Sequence, residues 1–211
     1  MLGVEADGAF GPLTAAAVAA WKRARGNRTP PHELTPAGRR WLLADVLLRA
    51  VGTMERWVAE GLHEEPRGSN RVPELIALAQ RLEVAPAFRG MGFPWCAFAV
   101  FLAALAAGGE TAALGLRRSA FNPLYAPALL AEAQAGAFGL RIVSAREAFR
   151  GDLALFDWNF TGGDPADHVA RLVRAPVNGR VLTVDGNSGG DGLMALRERP
   201  IWSVRAFARD S

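Results

Sequence analysis

Phe93-Pro94-Trp95-Cys96-Ala97-Phe98-Ala99-Val100-Phe101 holds the only cysteine of the chain, where an irregular Gly/Pro stretch gives way to a strongly apolar helix. Pro94 cannot sit inside a helix but suits its first turn, and Ala97 to Ala107 contains no breaker. Cys96 is therefore expected in the first turn, where unpaired backbone N–H groups and the helix dipole favour negative charge. A thiol there gives up its proton more readily, and the thiolate is the nucleophile. Taken alone, a single cysteine is more often a small buried hydrophobe than a catalyst.

Working outward changes that balance. His168 opens the apolar run His168-Val169-Ala170-Arg171-Leu172-Val173, and Asp185-Gly186-Asn187 closes the next one, Val181-Leu182-Thr183-Val184. A helix-start cysteine, then a strand histidine, then a polar orienting residue is the order of parts a thiol amidohydrolase needs. Cys96 would attack an amide carbonyl, and His168 would take its proton and later protonate the leaving amine. Asp185 or Asn187 would hold the second imidazole nitrogen; two residues apart on a regular strand, both would face the same way. The backbone N–H of Cys96 is the evident oxyanion donor. Trp95 and Trp158 are expected to line a substrate groove around the thiol.

The 211 residues suffice for one good-sized domain and a small appendage, and 50% hydrophobic with 21% charged residues is an ordinary globular composition. One cysteine excludes an internal disulfide framework. The net charge of +3 favours anionic partners in general. The Lys/Arg residues are scattered, so neither a nucleic-acid nor a membrane partner is expected. The chain's start lacks the basic end and apolar core of a secretory signal. The longest apolar run, Trp95 to Ala107, is 13 residues, short of the roughly 20 that span a bilayer, and reads as a buried helix. Neither His32-Glu33 nor His63-Glu64 extends to H-E-x-x-H, and Asp185–Asp191 lacks the EF-hand register, so no metal or other cofactor is expected.

The first half reads as helices. Thr14 caps Ala15–Arg25; Thr35, with Pro36 behind it, starts a helix buried along Leu43, Leu47, Val51, Met54 and Val58 that ends at Gly61. Another begins at Pro73 with the stripe Leu75, Leu78, Ala79, Leu82, and one over Pro123–Gln134 is capped by Asn122. The second half changes period: Leu153–Phe156, Val169–Val173, Val181–Val184 and Val204–Phe207 are short runs between Gly/Asp/Asn/Pro clusters, as in an antiparallel sheet. Helices followed by strands predict an α+β domain.

Two resemblances follow from quoted stretches. "LGVEADGAFGPLTAAAVAAWKRARG" (2–26) is similar to the central part of the small three-helix peptidoglycan-binding module, with its D-G-x-F-G-x-x-T turn and the stripe Ala17, Val18, Trp21. It implies a truncated module over 1–48 and a main domain over 49–211. In that main domain, "EEPRGSN" (64–70), "PWCAFAVFLAALAAGG" (94–109), "GDLALFDW" (151–158), "DHVARLV" (167–173), "TVDGNSGG" (183–190) and "VRAFAR" (204–209) occur in an order that resembles the CHAP family, the cysteine, histidine-dependent amidohydrolases/peptidases of papain-like fold. The resemblance implies Cys96 as nucleophile and His168 as base. It places Asp185 where that family usually has glutamate and Asn187 at its asparagine. It implies a monomeric peptidoglycan hydrolase, either an N-acetylmuramoyl-L-alanine amidase or a stem or cross-bridge endopeptidase. Such a lysin would be made in the cytoplasm and act on the bacterial wall after release, or act extracellularly. The alternative is a catalytically inactive wall-binding or structural component that keeps the same fold.

Overall fold

Why the stretch around Cys96 becomes the core of its unit is plain from its composition. The helix Cys96–Ala106 carries no charged residue, and every side chain from Cys96 to Leu105 is buried. A helix apolar all round must be covered on all sides. The computed structural model describes residues 36–89, 92–158, 166–189 and 192–210, with side chains from Ala44 onward. The chain divides into two units, Met1–Asp45 and Val46–Ser211. The expected helix Ala15–Arg25 and the module-like stretch 2–26 lie outside the described residues.

Six helices precede six strands among the described residues: α1 (Pro36–Ala59), α2 (Pro73–Arg81), α3 (Pro86–Arg89), α4 (Cys96–Ala106), α5 (Glu110–Leu116) and α6 (Ala126–Ala135), then β1 (Arg141–Val143), β2 (Leu153–Phe156), β3 (His168–Leu172), β4 (Arg180–Ser188), β5 (Leu193–Pro200) and β6 (Val204–Arg209). The strands form one antiparallel sheet in the order β1-β6-β2-β3-β4-β5. The domain is α+β, as the change of period predicts.

Side chains alternate across the strands, so the sheet has two unlike faces. Leu153, Leu155, Val169 and Val184 join α4 in the large core, together with Val51, Met54 and Leu75 from α1 and α2. Ala154, Phe156, Ala170, Leu172, Val181 and Phe207 form a smaller cluster on the opposite face. α1 runs through Gly52 without a break, and Gly61, at φ +71, follows its end.

Three local expectations are corrected. The helix expected over Pro123–Gln134 begins at Ala126, because Pro127 occupies its first turn, where a missing N–H costs nothing. Asn122 does not cap it; its side chain accepts the Leu124 N–H in a turn ahead of the helix. The edge strands β1 and β5 are additional. β1 is three residues with one buried side chain, and β5 buries only Met194 and carries Arg197, Glu198 and Arg199 in a row, so neither has the apolar alternation that marks a central strand.

Candidate active site

Cys96 is the first residue of α4, behind Trp95 at the cap position. His168 is the first residue of β3. Two residues at the starts of their elements meet at one end of the sheet, and the thiol is hydrogen-bonded to the imidazole. The sulfur also receives the backbone N–H groups of Ala97 and Val169. His168 Nε2 pairs with Asp185 Oδ2 at 2.9 Å, which leaves Nδ1 for the sulfur.

Each charge in this chain is set by its neighbours. Burial pushes the Cys96 thiol up, but the His168 hydrogen bond and charge, with the two backbone N–H groups, outweigh it and hold the thiol below its ordinary value. Burial pulls His168 down, yet Asp185 on one side and Cys96 on the other raise it to about 9. Burial likewise raises Asp185, and His168 with Arg199 more than reverses this, so the carboxyl lies below its ordinary value. All three shifts favour the charged forms: a thiolate, an imidazolium and a carboxylate in line. Cys96 is 4% exposed and His168 7%, so little water competes for these bonds.

The choice left open between Asp185 and Asn187 falls on Asp185. β4 is not regular there: the register with β5 shifts between Asp185 and Ser188, and Asn187 has φ +55. A bulge breaks the two-residue alternation that would have given both side chains one direction. Gly186 has its own reason for being glycine. A Cβ there would stand 2.8 Å from Ala99 Cβ and 2.8 Å from the Trp95 ring, so its absence lets β4 lie directly against the start of α4.

Trp95 is a correction. It is 0% exposed and donates its indole N–H to buried Glu64 Oε1 at 2.9 Å, so it belongs to the floor beneath Cys96 and offers no face to a substrate. Trp158 is 43% exposed; it stacks on Phe156 at 5.0 Å and leans on His168 at 5.7 Å between ring centres. It forms an aromatic wall beside the base. Its backbone N–H bonds to Asp167 Oδ2 at 2.9 Å, which holds the end of β2 against the start of β3.

The sequence reading missed Arg199, Thr183 and Glu64. Arg199 Nη2 meets Asp185 Oδ2 at 2.6 Å and Nη1 meets Thr183 Oγ1 at 2.8 Å. Its signal lay in Leu196-Arg197-Glu198-Arg199, where alternate arginines share the face of Thr183 and Asp185 across the β4–β5 hairpin. That signal becomes readable only once the hairpin register is known. Among the described residues no group of His, Cys, Asp and Glu is placed to hold a metal ion, and no helix is long and apolar enough to cross a membrane.

Comparison with known proteins returned no match: no family model, no curated protein and no solved structure.

Proposed function

We propose that the chain is a cysteine-dependent amidase or endopeptidase of CHAP type and papain-like fold, acting on bacterial peptidoglycan. One observation carries the chemistry: the Cys96–His168–Asp185 line, with the thiol at a helix start and the imidazole held between sulfur and carboxylate. His168 takes the thiol proton, Cys96 Sγ adds to the amide carbonyl, and the imidazolium returns the proton to the leaving nitrogen. Water, deprotonated by the same imidazole, then releases the acyl group. Asp185 fixes the ring and balances its charge without taking the proton itself. The choice of peptidoglycan rests on the six ordered stretches between Glu64 and Arg209 and on the module-like stretch 2–26.

Cys96→Ala is expected to abolish clearing of purified cell walls while the fold persists. Mass spectrometry of the released muropeptides identifies the bond cut by its new termini. Undiminished clearing by Cys96→Ala ends the proposal. The rival reading, an inactive wall-binding component that keeps the fold, draws on the low exposure of the sulfur. It requires Cys96 to titrate as an ordinary thiol, at about 8.5.

A further inference from the structure

Arg199 stands directly behind the Asp185 carboxylate, on a strand no sequence motif touches. Its guanidinium is fixed from three directions. Nη2 donates to Asp185 Oδ2 at 2.6 Å, Nη1 donates to Thr183 Oγ1 at 2.8 Å, and the planar group lies 4.9 Å from the Phe156 ring centre and 5.2 Å from that of Trp158. Phe156 and Trp158 in turn border His168, at 6.0 and 5.7 Å. The Asp185 side chain is 0% exposed, and among the described residues its Oδ1 has no hydrogen-bond donor. The hydrogen bonds that compensate this buried charge among the described residues meet at Oδ2, which two donors share: His168 Nε2 and Arg199 Nη2.

We infer that Arg199 is a positioning residue for the reaction: it fixes Asp185 Oδ2 on the imidazole and supplies the cation that balances the cluster when the thiolate forms. The inference rests on the amidohydrolase reading above. With the thiolate and imidazolium formed, Cys96, His168, Asp185 and Arg199 sum to zero charge. Without Arg199 the sum is −1 in a water-poor site, and every group in the cluster then binds protons more tightly. The thiolate fraction at neutral pH falls. The carboxylate also loses the fork that sets its angle toward His168.

The other charged groups near Asp185 are accounted for element by element. Cys96 comes from α4 through His168, and His168 from β3. Arg171 on β3 faces the other side of the sheet, bonded to Asp210. Arg197 on β5 turns to Ser188 Oγ at 2.7 Å. Asp157 follows β2, and Asp167 turns to the Trp158 backbone.

The test uses the full chain and its single thiol. Alkylation of Cys96 by iodoacetamide is followed by mass spectrometry across pH, for wild type, Arg199→Met and Arg199→Lys, beside wall clearing and thermal melting. For Arg199→Met the inflection of the alkylation rate is expected to move up by about one pH unit. Wall hydrolysis at neutral pH is expected to fall about 10- to 100-fold. Arg199→Lys, which keeps the charge and loses the fork, is expected to leave the inflection nearer wild type while activity still falls. An Arg199→Met inflection that coincides with wild type, with only the melting temperature lowered, overturns the inference and makes Arg199 merely structural. A wild-type thiol that titrates as a free one, or that resists alkylation at every pH, overturns the underlying amidohydrolase reading instead. Should Arg199→Met not fold, Thr183→Val loosens the guanidinium without removing its charge; a smaller upward shift supports the inference, and no shift refutes it.

Discussion

Of the arginine–aspartate pairs with a buried carboxylate, Arg171–Asp210 and Arg199–Asp185 lie on opposite faces of the same sheet, and they are built differently. Arg171, on the α4 side, meets both oxygens of Asp210, at 2.9 and 2.7 Å, and also donates to the Gly151 carbonyl at 2.6 Å. That pair is saturated. Arg199, on the other face, meets one oxygen of Asp185 and shares it with His168, while the second oxygen has no hydrogen bond among the described residues. The same two residue types thus serve two ends. Where both carboxylate oxygens are closed off, the pair ties β3 to the end of the chain. Where one oxygen is shared with an imidazole, the pair has the form that the proposed positioning role requires.

The sharpest way to break the comparison is at the shared oxygen. Asp185→Asn keeps shape and removes charge, so it is expected to lower wall hydrolysis roughly 10²- to 10⁴-fold with the fold intact. Steady-state kinetics and circular dichroism check this together. Arg171→Met on the other face is expected to do the reverse, costing about 3–5 kcal/mol in chemical denaturation because Asp210 is left buried and alone. The alkylation profile of Cys96 in the folded fraction should stay where it was.

A smaller effect sharpens the geometry. Gly186→Ala forces a methyl against Trp95 and Ala99, and is expected to cost about 1–3 kcal/mol in denaturation and to reduce activity with it. The smallest effect is in pH-dependent stability, read in Cys96→Ala so that no thiol titrates. In wild type Asp185 and Cys96 together raise His168 to about 9; with Cys96 replaced, Asp185 alone holds it up, so its contribution is complete below its ordinary 6.5 and is lost as pH climbs through a folded value lower than in wild type. Asp185 is lowered, so its contribution holds above the ordinary carboxylate range and is lost on acidification through its folded value. Denaturation midpoints measured across pH should therefore show a plateau between those limits, which a further Asp185→Asn substitution flattens.

How much of this was legible from the sequence follows from where the apolar signal is strong. α4 declares itself by having no polar side, and β2, β3 and the middle of β4 by continuous burial. β5 was silent because it buries only Met194 and three charged residues in a row interrupt its apolar pattern, and its arginines on the Thr183 face look like surface residues until β4 is laid beside them. Cys96 and His168 were readable as the one thiol and the one histidine at the start of an apolar run. Asp185 could not be chosen over Asn187, because a bulge is a property of a pair of strands and leaves no mark on either alone. Trp95 was misplaced for a similar reason. Its indole N–H is satisfied by Glu64, 31 residues earlier, and without that partner a tryptophan next to a nucleophile looks like a surface for ligand.

That tryptophan has a last consequence. Glu64, which holds it, also gives its backbone N–H to the Gly192 carbonyl, its neighbour His63 bridges to Leu193, and Met194 N–H reaches the Leu62 carbonyl. A Cβ on Gly192 would strike the Glu64 side chain. The chain just after α1 is therefore latched to the β4–β5 hairpin and, through one indole, to the residue preceding the thiol. A chain in which the segment after α1 has not met the β4–β5 hairpin lacks that latch, and the residue before Cys96 then loses the carboxylate that holds its ring.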